Sequence, residues 1–486
     1  MDLHLDLAHA RGSSLRARVE HALRDGIRSG LLAPQTRLPS TRVLSAQLGV
    51  SRGVVVDAYA QLTAEGYLRA RQGAGTTVAA AGRAHPQRPV VARAQAAPRH
   101  DMSPFVPALG AFPRTAWRAA IGRVLRNAPD ERLGLPAGAG VPELRAALAS
   151  YLSRARGVRT SAEQIVVTNG LRQGYGLLWA VLASDGARRV GIESPGWRGV
   201  AETAADAGLA TTLLALDEHG LIVRRLAEHD DLAAVAVAPA HQYPSGAVLS
   251  PARRAELVTW ARERGVLVVE DDYDAEYRYD REPIGSLQGL APERVIYGGS
   301  ASKSLAPAVR LGWLALTPAL VEPVAALQRR RGGMPAALQQ LALADLIDSG
   351  ELDRHLRRQR RRYRRQRDAL LGELATQLPE AAVQGAAAGL FVVLGLPDGT
   401  DEKAVLTAAR ARGVTVEGLG GPSPGLVVGY ANLSEPAIAP AVQALATSVR
   451  GPTPPLPRGL ASQGASSSTR RSWHAEQGSG AHTEDH

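Results

Sequence analysis

Cysteine is absent from the 486 residues, which removes disulfide frameworks, thiolate zinc sites, iron–sulfur clusters and cysteine nucleophiles together. A secreted scaffold is disfavoured for the same reason. No stretch approaches the ~18 consecutive apolar residues that a membrane helix needs, and residues 1–20 lack the apolar core of a signal peptide. A soluble cytoplasmic protein with no membrane partner is expected. Lysine is nearly missing: it occurs only at Lys303 and Lys403, so almost every cation is arginine. A base-composition bias in the coding DNA would drain lysine wherever arginine serves. Arginine cannot serve where a neutral amine must attack a carbonyl, because the guanidinium stays protonated. The two surviving lysines are therefore worth locating.

What is present is ordinary for a globular chain, with 45% apolar and 21% charged residues. The length favours two or three domains at roughly 100–200 residues each. A net charge of +11 suits a polyanionic partner such as nucleic acid. Residues 1–80 read as a mainly α-helical module, and residues 81–102, rich in Ala, Pro and Arg without periodicity, read as a linker. From 103 to 450, apolar runs (QIVVT, RRVGIE, LAAVAVA, GVLVVE, RVIYGG) alternate with longer amphipathic stretches. That is the pattern of strands and crossover helices in a parallel sheet, so a large α/β domain is expected. Residues 451–486, rich in Gly, Pro and Ser, offer nothing to pack and are expected to form a disordered tail.

In the first module, Leu15 to Arg28 can form an amphipathic helix. Ser40 can cap a second helix, Gly49 can supply the turn, and Ser51 can cap a third with apolar residues at Val55, Tyr59 and Leu62. That spacing is a helix-turn-helix. YLRARQGAGTTV then reads as two short strands around a Gly73-x-Gly75 turn, a wing. Arg42, Ser51, Arg52, Arg69, Arg71 and Gly73 fall at helix starts and on the wing, where this motif meets phosphates and groove edges. A protein-interaction module with solvated arginines would also fit, since ten arginines against six acidic residues in 1–80 is a modest excess.

In the large domain, GVLVVEDDYD is a buried strand, Val266 to Val269, emerging into acids at the carboxyl edge where open α/β sheets hold ligands. Extended chain points Asp271 and Tyr273 to one side and Asp272 to the other. RVIYGGSASKS is another strand, running into hydroxyl residues around Lys303, whereas Lys403 looks like helix surface. TNGLRQG follows a strand and opens a helix, so the amides around Gly170, Leu171 and Arg172 can hold a phosphate. Ser300, Ser302 and Arg310 can join them, and Trp197 is placed to stack on a planar ring. A lysine for a Schiff base, a carboxylate for a pyridine nitrogen and a phosphate cradle are the parts of a pyridoxal phosphate site. Taken singly, each has a plainer reading: a solvated acidic loop or magnesium site at Asp271 to Asp274, a core tryptophan, an ordinary glycine turn.

The words LPSTRVLSAQLGVSRGVVVDAYAQLTAEGYLRARQGAGTTV resemble the winged helix of GntR-type bacterial regulators, with Gly53 standing where that family usually has a polar residue. From about Ser103 to Val449 the chain resembles fold type I aminotransferases. HQYPSG, EDDYDAEY and SASKSLAPAVRLGW match most closely the MocR/GabR-type regulators, which join the two domains. The resemblance implies that Lys303 forms the Schiff base with pyridoxal 5'-phosphate, Asp271 pairs with the pyridine nitrogen and Tyr273 bonds the phenolic oxygen. It also implies that Ser300, Ser302 and Arg310 hold the phosphate and Trp197 covers the ring face.

In the large domain three further departures from the family pattern stand out. Tyr243-Pro244-Ser245-Gly246 replaces N-P-T-G, Arg172 replaces a frequent glutamine, and GLGGPSPGLVVGY lacks an arginine that grips an effector carboxylate in relatives. Arg198 or another residue takes that role, or the effector has no carboxylate. The function implied is a regulator that binds double-stranded promoter DNA and senses an amine, an amino acid or pyridoxal phosphate itself. A homodimer, arranged head to tail, is implied with it. The rival reading is a working aminotransferase with an accessory DNA-binding domain, and a third is a cofactor domain that has lost its ligand. The nine arginines between Arg354 and Arg367 read as a solvated basic helix or a second DNA contact.

Overall fold

The computed structural model describes residues 3, 7, 14–71, 75–79, 98–279, 284–385, 387–421 and 423–451. The chain divides into two compact units, Met1–Ala96 and Ala97–His486. Gly73, most of the segment read as a linker and the tail from 452 lie outside the described residues.

The first unit contains α1 (Leu15–Arg28), α2 (Thr41–Leu48), α3 (Arg52–Ala64) and an antiparallel hairpin of β1 (Leu68–Arg71) and β2 (Gly75–Val78). Each helix starts where a serine can accept a backbone N–H of the first turn: Ser14 from Ala17, Ser40 from Val43 and Ser51 from Val54. Gly49 ends α2 in the left-handed region, φ +65°, which a β-carbon would strain. Val19, Leu23 and Ile27 of α1 pack with Leu44, Val55, Tyr59 and Leu62, and the hairpin closes this core with Leu68 and Val78. Tyr59 donates its hydroxyl to the Pro39 carbonyl at 2.9 Å, pinning α3 to the segment that enters α2.

The second unit is a layered α/β structure. In chain order it runs β3 (His100–Asp101), α4 (Arg114–Asn127), α5 (Pro142–Arg156), β4 (Ile165–Thr168), α6 (Leu171–Ser184), β5 (Arg189–Ser194), α7 (Arg198–Asp206), β6 (Ala210–Asp217) and β7 (Gly220–Leu221). It continues through β8 (Leu232–Val237), α8 (Pro251–Arg264), β9 (Leu267–Asp272), β10 (Val295–Ser300), the single turn α9 (Ala301–Ser304), β11 (Gly312–Ala315), α10 (Pro318–Arg330), α11 (Ala337–Asp348) and α12 (Glu351–Gln377). The last elements are β12 (Val383–Gln384), β13 (Phe391–Gly395), α13 (Glu402–Ala411), β14 (Val414–Thr415), β15 (Glu417–Gly418), β16 (Gly425–Gly429) and α14 (Glu435–Arg450).

The large sheet has the order β4-β11-β10-β9-β8-β5-β6-β7. Strands β10, β9, β8, β5 and β6 run parallel, as the alternating pattern predicts, but β11 runs antiparallel to both β10 and β4. The sheet is therefore mixed. Residues 301–311 are too short a return for a parallel crossover, so the chain doubles back and Ser300 faces Gly312. The acidic strand is also longer than its apolar run: β9 extends through Asp272, because edge-facing acids still pair through their backbone.

Helices α6, α7 and α10 cover one face through Leu171, Tyr175, Trp179, Val200 and Val324. The other face packs on α8 and, toward β4, on α5 and α11. Helix α12 buries Leu352, Leu356, Tyr363, Leu370 and Leu374 along one stripe and leads to the small antiparallel sheet β12-β13-β16-β15. The entering segment lies on that sheet's side of the unit. β3 pairs with β14, and Gly429 lets the Ser103 carbonyl approach so closely that a β-carbon would sit 2.2 Å from it.

Candidate functional site

The carboxyl ends of the central strands open into a cavity of about 270 Å³. It is lined by every large-domain residue that the sequence singled out for cofactor binding: Gly170, Leu171, Arg172, Trp197, Asp271, Tyr273, Ser300, Ser302, Lys303 and Arg310. Position follows from local structure. Asp271, next to last in β9, faces the cavity, while Asp272 turns to the other face and accepts from Arg156 Nε at 2.7 Å and the Tyr297 hydroxyl at 2.8 Å. The alternation of an extended chain accounts for both. Ser300 ends β10 and caps α9, whose single turn carries Lys303.

Lys303 Nζ donates to the carbonyl of Phe105 at 2.7 Å and lies 4.9 Å from that ring's centre. Burial lowers its amine from 10.5 to about 8, against the opposing charges of Asp274, Asp271 and Glu417. Asp271 is pushed up to about 8, first by burial and then by Asp272, Glu193 and Asp274. Among the described residues its Oδ1 is buried without a hydrogen-bond partner, and Oδ2 has only the Tyr175 hydroxyl at 3.5 Å. A buried carboxylate oxygen with no donor is costly, so the arrangement fits a ligand that brings a charged N–H to this point. Glu193, at the carboxyl end of β5, is raised to about 7 by burial and accepts from the Ala238 amide at 3.1 Å.

At the other end of the cavity, Gly170 begins α6 with φ +88°, and the first helical residues Leu171 and Arg172 form the wall. Helix-start amides have no intrahelical acceptor and favour an anion. Arg310, in the left-handed region with φ +53°, donates to the Asn169 carbonyl at 2.7 Å and so lies beside that helix start. Gly312 makes the approach of β11 possible, since a β-carbon there would meet the Gly170 and Leu171 backbone at 2.8 Å. Arg172 is ion-paired to Glu202 at 2.6 Å on the exposed surface of α6 and α7.

Several lining residues were not singled out by sequence reasoning. Phe105 contributes a backbone carbonyl from a segment 198 residues away from Lys303, for which no side-chain pattern exists. Tyr175 lies one turn after Leu171 on α6, and Glu193 ends a parallel strand as Asp271 does; helical spacing and the strand-end rule could have found both. Tyr243 lines the cavity and donates to Glu417 Oε2 at 2.6 Å. Behind Tyr273, the buried His241 bonds Asp274 through Nδ1 at 2.8 Å and stacks on Phe391. Arg198, one candidate for an effector carboxylate, starts α7 with an exposed side chain and does not line the cavity. Lys403 is exposed on α13.

In the first unit, Arg42, Ser51, Arg52, Arg69 and Arg71 are exposed at the starts of α2 and α3 and on the hairpin. Gly53 follows Arg52, and a β-carbon there would meet only Ser51 Oγ, at 4.0 Å, among the described residues.

Residues 15–78 match the family model of bacterial regulatory proteins, gntR family, and residues 108–445 match aminotransferase class I and II. The chain is 36% identical to the HTH-type pyridoxine biosynthesis transcriptional regulator PdxR of Corynebacterium glutamicum, over 89% of this chain and 96% of that protein. It is 31% identical to the probable rhizopine catabolism regulatory protein MocR of Rhizobium meliloti, over 85% and 89%. Among solved structures it resembles LysN, the α-aminoadipate aminotransferase of Thermus thermophilus complexed with N-(5'-phosphopyridoxyl)-L-leucine. That likeness has a TM-score of 0.66 at 26% identity and covers 72% of this chain and 92% of that one. Among the described residues no helix is long and apolar enough to cross a membrane. With both domains matched in order and relatives aligned along most of their length, the chain belongs to the HTH-type transcriptional regulators that join a GntR-type DNA-binding domain to a class I and II aminotransferase domain.

Proposed function

We propose that the protein is a pyridoxal 5'-phosphate-dependent regulator that binds double-stranded promoter DNA and senses an amine, an amino acid or the cofactor itself at Lys303. The observation that carries the reading is Lys303, one of two lysines in the chain, held in one cavity with Asp271, Tyr273 and the start of α6. The partnerless Asp271 Oδ1 suits the protonated ring nitrogen of the cofactor, and Gly170, Leu171, Arg172, Ser300, Ser302 and Arg310 suit its phosphate. Tyr273 would meet the phenolic oxygen and Trp197 the ring face. When bound, the cofactor supplies an electrophilic carbon that captures amines.

The chain's own residues then set the response. Burial keeps a useful fraction of Lys303 neutral, and Phe105 holds its Nζ in place. An effector amine bound beside Lys303 would compete for the position that the Phe105 carbonyl gives Nζ. Phe105 lies nine residues after Ala96, the last residue of the first unit, so a change at Phe105 bears on the segment that follows that unit in the chain. Such coupling requires the effector to bind the two states with different affinity. Residues 1–80 would serve as the DNA-binding domain, 81–102 as the linker and 103–450 as the sensor. Exposed Leu109, Leu125, Leu133 and Leu135 near the start of the large unit support a homodimer, and a cytoplasmic location follows from DNA binding. The pyridoxine biosynthesis named in the Corynebacterium relative supports a vitamin B6 compound as effector.

The reading is tested by titrating promoter DNA with the cofactor-loaded chain at several salt concentrations, with and without a panel of amines. Affinity should fall steeply with salt and shift with one amine. The intact Lys303 and Asp271 pair also favours a second reading, a working aminotransferase. Sustained amino transfer to a 2-oxo acid, with DNA affinity indifferent to every amine, would select it.

A further inference from the structure

The two acids at the end of β9 point to opposite faces of the sheet. Asp271 faces the Lys303 site, whereas Asp272 turns to the opposite side and holds Arg156. Arg156 closes a second cavity, of about 240 Å³, between the end of α5, the first turns of α12 and the loop after β9. Four guanidinium groups line it, from Arg154, Arg156, Arg357 and Arg360, with carboxylates from Glu276 and Asp353.

Most of these charges are already engaged, and the remainder is informative. Arg154 pairs with Asp353 at 2.8 Å, and Arg360 donates to the Glu276 carbonyl at 2.9 Å. The Arg156 side chain is 2% exposed; Nε bonds Asp272 and Nη1 bonds the Ile284 carbonyl, but Nη2 is buried and has no acceptor among the described residues. Arg357 has no acidic partner among the described residues. Burial, and after it the charge of Asp272, push the Glu276 carboxyl up, which weakens it as a counter-charge to these guanidinium groups. A buried donor without an acceptor and a guanidinium without an acidic partner beside one solvent-reaching cleft are the setting for a multiply charged oxyanion, which planar guanidinium groups bind through paired hydrogen bonds.

We infer that this second cavity, on the face of β9 opposite the Lys303 site, binds a small phosphate-bearing anion. Ligand there would contact the arginine that holds Asp272, the chain neighbour of Asp271.

The test is a calorimetric titration of inorganic phosphate into the full-length, cofactor-loaded protein at constant ionic strength. Saturable binding of one phosphate per chain is expected, with the visible cofactor band retained. Arg357→Glu should weaken it roughly tenfold or more, the loss of a charge-assisted contact replaced by repulsion. Arg364→Glu, an exposed position on α12 that does not line the cavity, should leave it unchanged. No saturable binding, equal loss in both variants, or loss of the cofactor band would overturn the inference. A parallel titration of random-sequence duplex DNA separates the other source of phosphate: if Arg357→Glu weakened only DNA binding, the arginines would serve the nucleic-acid backbone and the inference would fail. Should the protein take up no cofactor at all, the same titration on Arg310→Ala removes the competing anion site near Gly170, so the two readings fail separately.

Discussion

The Lys303 amine is expected to lose its proton near pH 8, well below an ordinary lysine, because burial disfavours its charge more than Asp274, Asp271 and Glu417 support it. A fall from 10.5 to about 8 corresponds to about 3 kcal/mol at ~1.4 kcal/mol per unit. At pH 7 the neutral fraction then rises from ~3 in 10,000 to ~1 in 10, a gain of roughly 300-fold in attacking amine. The unfolded chain holds this proton up to 10.5 and the folded chain releases it near 8, so the Lys303 contribution to stability grows as pH rises through that window. The assay is competitive labelling of the cofactor-free protein with a small acylating reagent from pH 6 to 11, read by mass spectrometry at Lys303 and Lys403. Only two lysines exist, so each molecule carries its own exposed reference. The Lys303 profile should turn near pH 8, and Glu417→Gln should move the turn lower by removing a charge that favours the ammonium. A Lys303 profile that parallels that of Lys403 would refute the reasoning, whatever the absolute rates.

Arg156→Met leaves Asp272 as a buried charge with only the Tyr297 hydroxyl, and should destabilise the large unit by about 3–5 kcal/mol in urea unfolding; adding Asp272→Asn should recover part of the loss. Gly312→Ala drives a methyl group into the start of α6 and should weaken pyridoxal phosphate uptake, followed by visible absorbance, more than it lowers the melting temperature. Asp271→Asn removes the carboxylate proposed for the ring nitrogen and should lower cofactor affinity by at least roughly tenfold, with Asp274→Asn as a comparison outside the cavity lining. Ser51→Ala removes the α3 cap and should cost about 1 kcal/mol of stability in the DNA-binding unit, measured by thermal unfolding of the full chain.

Much of this molecule is legible in its sequence where the signal is local. Ser40, Gly49 and Ser51 mark the limits of α2 and the start of α3 because capping and left-handed turns are decided within a few residues. The facing of Asp271 and Tyr273 into one cavity, with Asp272 turned away, follows from the period of two along extended chain. Lys303 stood out because arginine had replaced lysine nearly everywhere else. What local patterns hide is what distant segments contribute. The antiparallel course of β11 depends on how short the return from Lys303 is, and an apolar run does not carry strand direction. Phe105 enters the site through its carbonyl, which every residue possesses. His241 and Asp274 form a buried pair from two loops that meet only in the folded chain. Helix α12 read as a solvated basic helix, and Arg357, Arg358, Arg361, Arg364 and Arg365 are exposed, but the pattern did not show that Arg367 is buried and that Arg360 bonds a loop carbonyl.

The most direct test of the account is the visible absorption spectrum of the purified protein mixed with pyridoxal 5'-phosphate, beside Lys303→Ala, before and after borohydride reduction. A yellow band is expected in the parent alone and, after reduction, a covalent adduct that peptide mapping places on Lys303. A parent that stays colourless with added cofactor, or an adduct on Lys403 and not on Lys303, would contradict it.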